Sequence, residues 1–142
     1  MNRHIVHLDL DTFFVSCERL LDRRLKQLPV LIGGTGDRGV GALCSYENRQ
    51  YGVHSGMPIK MAKVLCPDAV VIRGNSSVYS KFSDMVTDII KEQSPLFEKS
   101  SIDEFYVDVT GMDKFFGTYQ WAKELREKII KETMLPLSLI QI

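Results

Sequence analysis

The sequence has few cysteines and no sulfur or imidazole pattern that would hold a metal. The three cysteines are odd in number and lie far apart: Cys17, Cys44 and Cys66. No Cys-x-x-Cys pair occurs, and the three histidines do not complete a ligand spacing: His4, His7 and His54. We therefore expect reduced, buried thiols, with neither a disulfide framework nor a zinc site.

The sequence also lacks a long apolar run and a surplus of charge. No stretch approaches the roughly 20 apolar residues that cross a bilayer, and no signal-peptide pattern opens the chain, so we expect a cytoplasmic protein. Lysine plus arginine and aspartate plus glutamate both number 18. Nucleic-acid-binding proteins are usually basic, because phosphate neutralisation supplies much of their affinity. The balance argues mildly against a complete DNA-binding protein, though not against a part of one.

The apolar content, 44% of 142 residues, is enough for one packed domain, with or without a small inserted lobe. "IVHLDL" predicts a core strand, and "TFFVSCERLLDRRLKQ" an amphipathic helix. "PVLIGG" and "GVGALCS" predict two strands paired across the turn "TGDRG". "YENRQYG" and "PIKMAKVLC" favour short helices, and "AVVIRG" a further short strand.

The second half of the sequence predicts two long helices and three strands. "SSVYSKFSDMVTDIIKEQS" carries an apolar stripe at helical spacing: Val78, Phe82, Met85, Val86, Ile89 and Ile90. "LFEKSSIDEFYVDVTG" favours two strands around a turn at Ile102–Asp103. "TYQWAKELREKIIKETM" predicts a helix with Trp121, Leu125 and Ile129 on one face, and "LPLSLIQI" begins a last strand. Because this apolar strand closes the sequence without a polar exit, we expect the chain to be a piece of a longer protein.

Without residues 13–75, the predicted order is strand, helix, strand, strand, helix, strand. The sequence therefore predicts an α+β, ferredoxin-like fold (βαββαβ), an antiparallel sheet with helices on one face. Residues 13–75 would form an inserted α/β subdomain.

In that sheet order, three acids far apart in the sequence meet at one edge: Asp9 at the end of the first strand, and the pair Asp103–Glu104 at the hairpin turn. Clustered carboxylates repel unless a cation compensates them, and hard oxygen ligands suit Mg²⁺. Two such ions about 3.5–4 Å apart support phosphoryl transfer. The simpler interpretation is structural: Asp9 and Asp11 would be capping or turn residues, with Asp103–Glu104 solvating a hairpin tip. Asp11 alone is best explained as a carboxylate at a helix N-terminus.

Two phosphate-related motifs are incomplete. "LDLDT" is similar to the Asp-x-Asp-x-Thr opening of haloacid-dehalogenase-type phosphatases, but Phe13 stands where that motif needs its threonine, and Thr12 comes one residue early. The parallel βαβ rhythm of that fold is also missing from the second half. "GGTGDRG" lacks the Gly-Lys-Ser/Thr ending of a phosphate loop and favours a hairpin turn.

Three stretches, in this order and spacing, resemble the Y-family translesion DNA polymerases, nearest the bacterial DNA polymerase IV and UmuC-like branch: "HIVHLDLDTFFVSCE", "RGVGALCSYENRQYGVHSGMP" and "SSIDEFYVDVTG". The resemblance covers nearly the whole chain. It implies a palm formed by residues 1–12 and 76–142, with a truncated last strand, and fingers formed by residues 13–75. The thumb and little-finger domains would be absent.

The resemblance also implies roles for individual residues. Asp9, Asp103 and Glu104 would be the catalytic acids, holding two Mg²⁺ ions (or Mn²⁺ in their place) with the backbone carbonyl of Leu10. Phe14 would be the steric gate that excludes a 2′-hydroxyl. The remaining nucleotide-site positions would be as follows: Tyr46 and Arg49 on the triphosphate, Thr12 and Phe13 beside it through their backbones, and Val40 and Ala42 flanking the new base pair.

Two departures from the family pattern stand out. Asn48 occupies a position that is commonly alanine, from which we expect little consequence. Ile140 lies near a family glycine, and the sequence stops before the lysine that contacts the triphosphate.

From the resemblance we expect an N-terminal fragment of a polymerase that acts on primer–template DNA and deoxynucleotides in DNA damage tolerance and repair, with a sliding clamp as partner of the full-length parent. The fragment itself would be monomeric and nearly inactive. The alternatives are a non-catalytic polymerase-like accessory module and, less favoured, the phosphatase.

Overall fold

The computed structural model describes residues 3–33, 40–94, 96–111 and 117–141. The elements in chain order are β1 (Ile5–Leu10), α1 (Phe13–Leu21), a 3₁₀ turn (Arg23–Leu25), β2 (Val30–Gly33), β3 (Val40–Cys44), α2 (Tyr46–Arg49), β4 (Met57–Pro58), α3 (Ile59–Leu65), β5 (Val70–Ile72), α4 (Ser76–Gln93), β6 (Phe97–Ser101), β7 (Glu104–Asp108), α5 (Thr118–Thr133) and β8 (Leu137–Gln141). They divide into two compact units: a discontinuous unit, Met1–Asp11 with Ser77–Ile142, and an inserted unit, Thr12–Ser76.

The discontinuous unit contains a four-stranded sheet in the order β6-β7-β1-β8, and every neighbouring pair is antiparallel. With α4 and α5 as its two helices, this is the ferredoxin-like arrangement that the sequence predicts. Strands β1 and β7 are central, so the end of β1 lies beside the start of β7. That adjacency is what brings residues from opposite halves of the sequence together.

Side chains alternate across the sheet, as the period of a strand requires. On β1, Val6, Leu8 and Leu10 are buried, whereas the intervening side chains are only half-buried. Helix α5 contributes the buried face that the sequence predicts, Trp121, Leu125 and Ile129. The Arg126 guanidinium donates to the Leu137 carbonyl at 3.1 Å, which ties α5 to β8.

Helix α4 has the predicted length, and three of the six predicted apolar positions are buried: Val86, Ile89 and Ile90. Met85 is 42% exposed, whereas Tyr79 and Ser83 are buried beside Val86 and Ile90. The positions 79, 83, 86 and 90 also recur at helical spacing. The prediction missed Tyr79 and Ser83 because it followed only strongly apolar side chains, and Ser83 takes a core position.

The inserted unit has its own four-stranded sheet in the order β4-β3-β2-β5, in which β2 is antiparallel to β3 and parallel to β5. Strands β2 and β3 pair as predicted, and the turn predicted between them lies outside the described residues. Helix α1 is shorter than predicted. It ends at Leu21, which is 55% exposed, because Asp22 is extended and its carboxylate accepts the backbone N–H of Arg24.

The three cysteines are free and buried. Within the described ranges, no helix combines the length and the apolar character needed to cross a membrane.

Candidate active site

Three carboxylates converge where β1 ends and β7 begins. Asp9 and Glu104 are directly opposite in the β1–β7 register, so their side chains lie on the same face of the sheet. Asp103 lies in the turn before β7, and its carbonyl accepts the backbone N–H of Leu10 at 2.9 Å. One carboxylate oxygen from each residue lies within 4.8 Å of the others. The structure therefore brings together the three acids selected from the sequence.

The cluster is electrostatically unfavourable when it stands alone. Burial raises the pKa of Asp9 above its ordinary value, and the charges of Asp103 and Glu104 raise it further. Like charges placed directly opposite in a sheet are destabilising. Among the described residues, no lysine or arginine forms an ion pair with any of the three. Oxygen-only donors, half-buried and uncompensated, fit a hard divalent cation.

Hydroxyl groups hold the hairpin that carries two of the acids. Ser101 donates to the Asp103 carboxylate at 2.9 Å, and Ser100 donates to Glu104 at 3.3 Å. From α4, the buried Ser83 hydroxyl donates to the Ile102 carbonyl at 2.6 Å. These bonds fix the turn without neutralising its charge.

The neighbours of Asp9 in the sequence have different environments. The Leu10 side chain is aliphatic and buried, so only the backbone of this residue can bind an ion or a nucleotide. The Asp11 carboxylate accepts the Ser138 hydroxyl at 2.8 and 3.0 Å, which links it to β8. The N-cap of α1 falls on Thr12, without a side-chain cap bond. Asp11 therefore directly precedes the N-cap, and its role as a helix N-terminal carboxylate stays a prediction.

Beside the acids on the same face, His7 and Tyr106 form the next cross-strand pair. Their rings stack with centroids 4.7 Å apart and planes inclined by 22°. The His7 Nε2 atom is buried and has no hydrogen-bond partner among the described residues. Sequence reasoning missed this pair, although its place in "HIVHLD" and "DEFYVD" follows from the two-residue strand period.

In the inserted unit, the candidates at the start of α1 are held by packing. Thr12 has a left-handed backbone, with φ 39°. Phe13 is buried, and its ring meets that of Phe14 edge to face at 5.3 Å. Phe14 is half-buried and packs against Val15, Leu25, Val30 and Ile32. The Phe14 ring is therefore anchored at one side by the core of the inserted unit.

Tyr46 and Arg49 face one another on the single turn of α2. The Arg49 guanidinium carbon lies 4.6 Å from the centre of the Tyr46 ring, a cation–π contact, and Tyr46 is 52% exposed. Arg19 of α1 anchors this helix. It contacts both carboxylate oxygens of Glu47, at 3.1 and 2.9 Å, and donates to the carbonyls of Leu25 and Leu28.

Asn48 has a larger structural effect than the sequence suggested. It is fully buried, and its amide donates to the Val30 carbonyl at 2.7 Å and to the Ser45 hydroxyl at 3.1 Å. Ser45 in turn accepts the backbone N–H of Val30 at 2.9 Å. The departure at position 48 thus supplies one direct bond from α2 to β2 and a second bond to Ser45, the N-cap of α2. Val40 and Ala42 lie on β3, and Ile140 on β8, but these side chains lie outside the described residues.

The structural class is an α+β fold with an antiparallel sheet and clustered acids at the end of its first strand. The sequence model of the impB/mucB/samB family matches residues 8–139. The chain belongs to this family, the Y-family DNA polymerases. That membership and the antiparallel sheet leave the phosphatase alternative without support.

The relatives and solved structures agree with this assignment. DNA polymerase IV of Dehalococcoides mccartyi strain 195 is 42% identical over 96% of this chain and 36% of its own length. DNA polymerase IV of Treponema denticola is 43% identical over 89% of this chain and 32% of its own. DinB from Sulfolobus solfataricus superposes with a TM-score of 0.91 at 27% identity, covering 98% of this chain and 42% of that one. An insertion ternary complex of Dbh DNA polymerase gives 0.90 at 26%, with the same coverage. The chain thus spans well under half the length of these relatives.

Proposed function

We propose that the chain is the palm and fingers portion of a translesion DNA polymerase. In this assignment the palm is residues 1–12 and 76–142, and the fingers are residues 13–75. The parent would add deoxynucleotides to a primer 3′-hydroxyl on template DNA, in damage tolerance. The observation that carries the proposal is the convergence of Asp9, Asp103 and Glu104 within 4.8 Å, in a chain of this polymerase family.

Each acid has a distinct place in the proposed site. Asp9, Asp103 and Glu104 would hold two Mg²⁺ ions, with the Leu10 carbonyl as a backbone ligand. When bound, the ions supply charge neutralisation for phosphoryl transfer and lower the pKa of the attacking hydroxyl. The chain supplies position: the antiparallel register fixes Asp9 against Glu104, and the hairpin bonds fix Asp103.

The inserted unit would hold the incoming nucleotide. Arg49 can donate two parallel hydrogen bonds to phosphate oxygens, and its contact with the Tyr46 ring orients the guanidinium. The Thr12 and Phe13 backbones would lie beside the triphosphate. The Phe14 ring, anchored by the core behind it, would close the space that a 2′-hydroxyl needs. Val40 and Ala42 would flank the new base pair.

The balanced charge of this chain predicts weak binding to DNA. Proteins gain much of their affinity for DNA by neutralising phosphates, and this chain has a formal net charge of +0. Residues 1–142 alone would therefore bind primer–template weakly, extend primers poorly and remain monomeric. In a full-length parent, a thumb, a little-finger domain and a sliding clamp would supply additional affinity for DNA.

The test is nucleotide binding by this chain, followed with a fluorescent deoxynucleoside triphosphate in Mg²⁺. We expect Asp103→Asn and Arg49→Lys each to weaken binding at least about tenfold, because one removes the negative charge of a metal ligand and the other removes a bidentate donor. The matched control is Arg24→Lys, since the Arg24 side chain is 90% exposed and pairs with Asp22. Equal affinity in wild type and Asp103→Asn would refute the metal-dependent site. Equal affinity in Arg49→Lys would refute the triphosphate assignment.

A further inference from the structure

The turn that carries Asp103 depends on a contact from a different element. Ser83 lies in the middle of α4, is 1% exposed, and donates its hydroxyl to the Ile102 carbonyl at 2.6 Å. That carbonyl belongs to the peptide unit that joins Ile102 to Asp103. A shift of this peptide plane therefore moves the Asp103 backbone directly.

The opposite side of the same turn is fixed by the sheet. The Leu10 N–H donates to the Asp103 carbonyl at 2.9 Å. The two hydrogen bonds thus hold consecutive carbonyl groups, one from α4 and one from β1. If the Ser83 bond is removed, the bond from Leu10 of β1 is the one of these two that remains.

Helix α4 contacts the hairpin again one turn further along. The Thr87 hydroxyl donates to the Ser83 carbonyl at 2.8 Å, and Lys99 of β6 donates to the Thr87 hydroxyl at 3.1 Å. The Ser83 hydroxyl is the member of this group that reaches the turn itself. The bond to the turn compensates the Ser83 hydroxyl for the hydration that it loses on burial.

We propose that Ser83 is a positioning residue for the metal-binding carboxylates. It holds the Ile102–Asp103 peptide so that the Asp103 carboxylate stays close enough to Asp9 for both to bind the same ion. This inference rests on the proposed function, because it assigns Ser83 to the same divalent-ion site. In this assignment Ser83 would touch neither ion nor nucleotide. Its effect reaches the site through the backbone of the turn.

The test measures Mn²⁺ binding to the chain without nucleotide, by the electron paramagnetic resonance signal of free Mn²⁺. We expect Ser83→Ala to weaken binding roughly tenfold, as loss of groups that orient metal ligands commonly does. Ser83→Cys, which is close in volume and keeps a weak donor, should lie between Ser83→Ala and wild type. It also covers the case in which Ser83→Ala fails to fold.

The matched control is Thr133→Ala. Thr133 is also buried in the discontinuous unit, and its hydroxyl donates to the Ile129 carbonyl of its own helix at 2.7 Å rather than to the Ile102–Asp103 turn. Thr133→Ala should lower stability in urea yet leave Mn²⁺ affinity unchanged, whereas Ser83→Ala should change both.

Wild-type affinity in Ser83→Ala would overturn the inference. An equal loss in Thr133→Ala would overturn it too, because general destabilisation would then explain both variants. If wild type and Asp103→Asn bind Mn²⁺ equally, the metal assignment itself is wrong and the inference fails with it. That result is distinguishable, because it does not depend on position 83.

Discussion

Neutralising one acid of the cluster should stabilise the metal-free protein. Asp103→Asn removes a negative charge yet keeps an oxygen that can accept the Ser101 hydroxyl. Asp103 and Glu104 are neighbours in the chain and repel one another even when unfolded. The repulsion specific to folding is therefore the one between Asp103 and Asp9.

The size of this repulsion follows from the separation. At 4.8 Å, Coulomb's law gives about 0.9 kcal/mol in a water-like dielectric and about 3.5 kcal/mol at an effective dielectric of 20. The groups are half-buried, and salt near 0.15 M screens over about 8 Å. We expect a gain of about 1 kcal/mol in unfolding free energy, or roughly 3 °C in Tm for a chain of this size.

The assay is urea and thermal unfolding followed by circular dichroism, in EDTA, at low salt and again at about 0.5 M NaCl, where the Debye length falls to a few ångströms. The gain should shrink in high salt. In saturating Mg²⁺ the order should reverse, because an ion that binds only the folded wild type stabilises it. Asp88→Asn, the same chemical change at an exposed site on α4, should have little effect. A destabilised Asp103→Asn in EDTA, or a gain that salt leaves unchanged, would refute the reasoning.

Three further results are expected. Burial alone would raise the pKa of Glu47, but the hydrogen bonds and charge of Arg19 lower that pKa below its ordinary 4.5. The ionised Glu47 therefore stabilises the fold above about pH 4.5, and this contribution is lost as pH falls through the lower folded pKa. Arg19→Lys should weaken this loss of stability at acid pH, as urea unfolding at a series of pH values would show. Burial raises the pKa of Cys17 to about 12, so iodoacetamide at pH 8 should label it only after unfolding, as mass spectrometry would detect, and its contribution to stability should be lost as pH rises from about 9 to about 12. Ile129 is fully buried, so Ile129→Ala should cost about 2–5 kcal/mol in urea unfolding and Ile129→Val about 0.5–1.5; similar values for both would contradict close packing there.

The sequence was sufficient for the sheet and its acids because both depend on regular periods. Alternating apolar residues define β1 and β7, and the ferredoxin-like order makes these strands neighbours, which places Asp9 opposite Glu104. Trp121, Leu125 and Ile129 follow the same logic on α5. Side-chain period and strand order together therefore predicted the acidic edge.

Polar residues at buried positions were not predictable in this way. Ser83 and Asn48 are buried because each finds a carbonyl to bond, Ile102 in one case and Val30 in the other. Those partners are fixed only by the tertiary structure, so apolar counting passes over them. The early end of α1 has a similar cause, because the Asp22 carboxylate competes for a backbone N–H.

The left-handed backbone of Thr12 is a further feature without a sequence signal. A β-branched residue rarely adopts φ near 39°, since its side chain crowds the backbone there. The position joins the end of β1 to the start of α1, where the chain must turn at once. Such strained positions cluster at functional sites, which is consistent with the nucleotide-site proposal for Thr12.

The central place of β1 has a consequence for how this protein matures. Its partners β7 and β8 come from the far end of the chain, so joining Asp9 to Glu104 closes a loop of roughly a hundred residues, an entropic cost met only as the sheet assembles. A nascent chain, or a proteolytic fragment without the turn and strand β7, would carry Asp9 but would lack Asp103 and Glu104, which complete the proposed ion site. Capacity to chelate Mn²⁺ would then appear late in folding, in step with formation of the sheet rather than ahead of it.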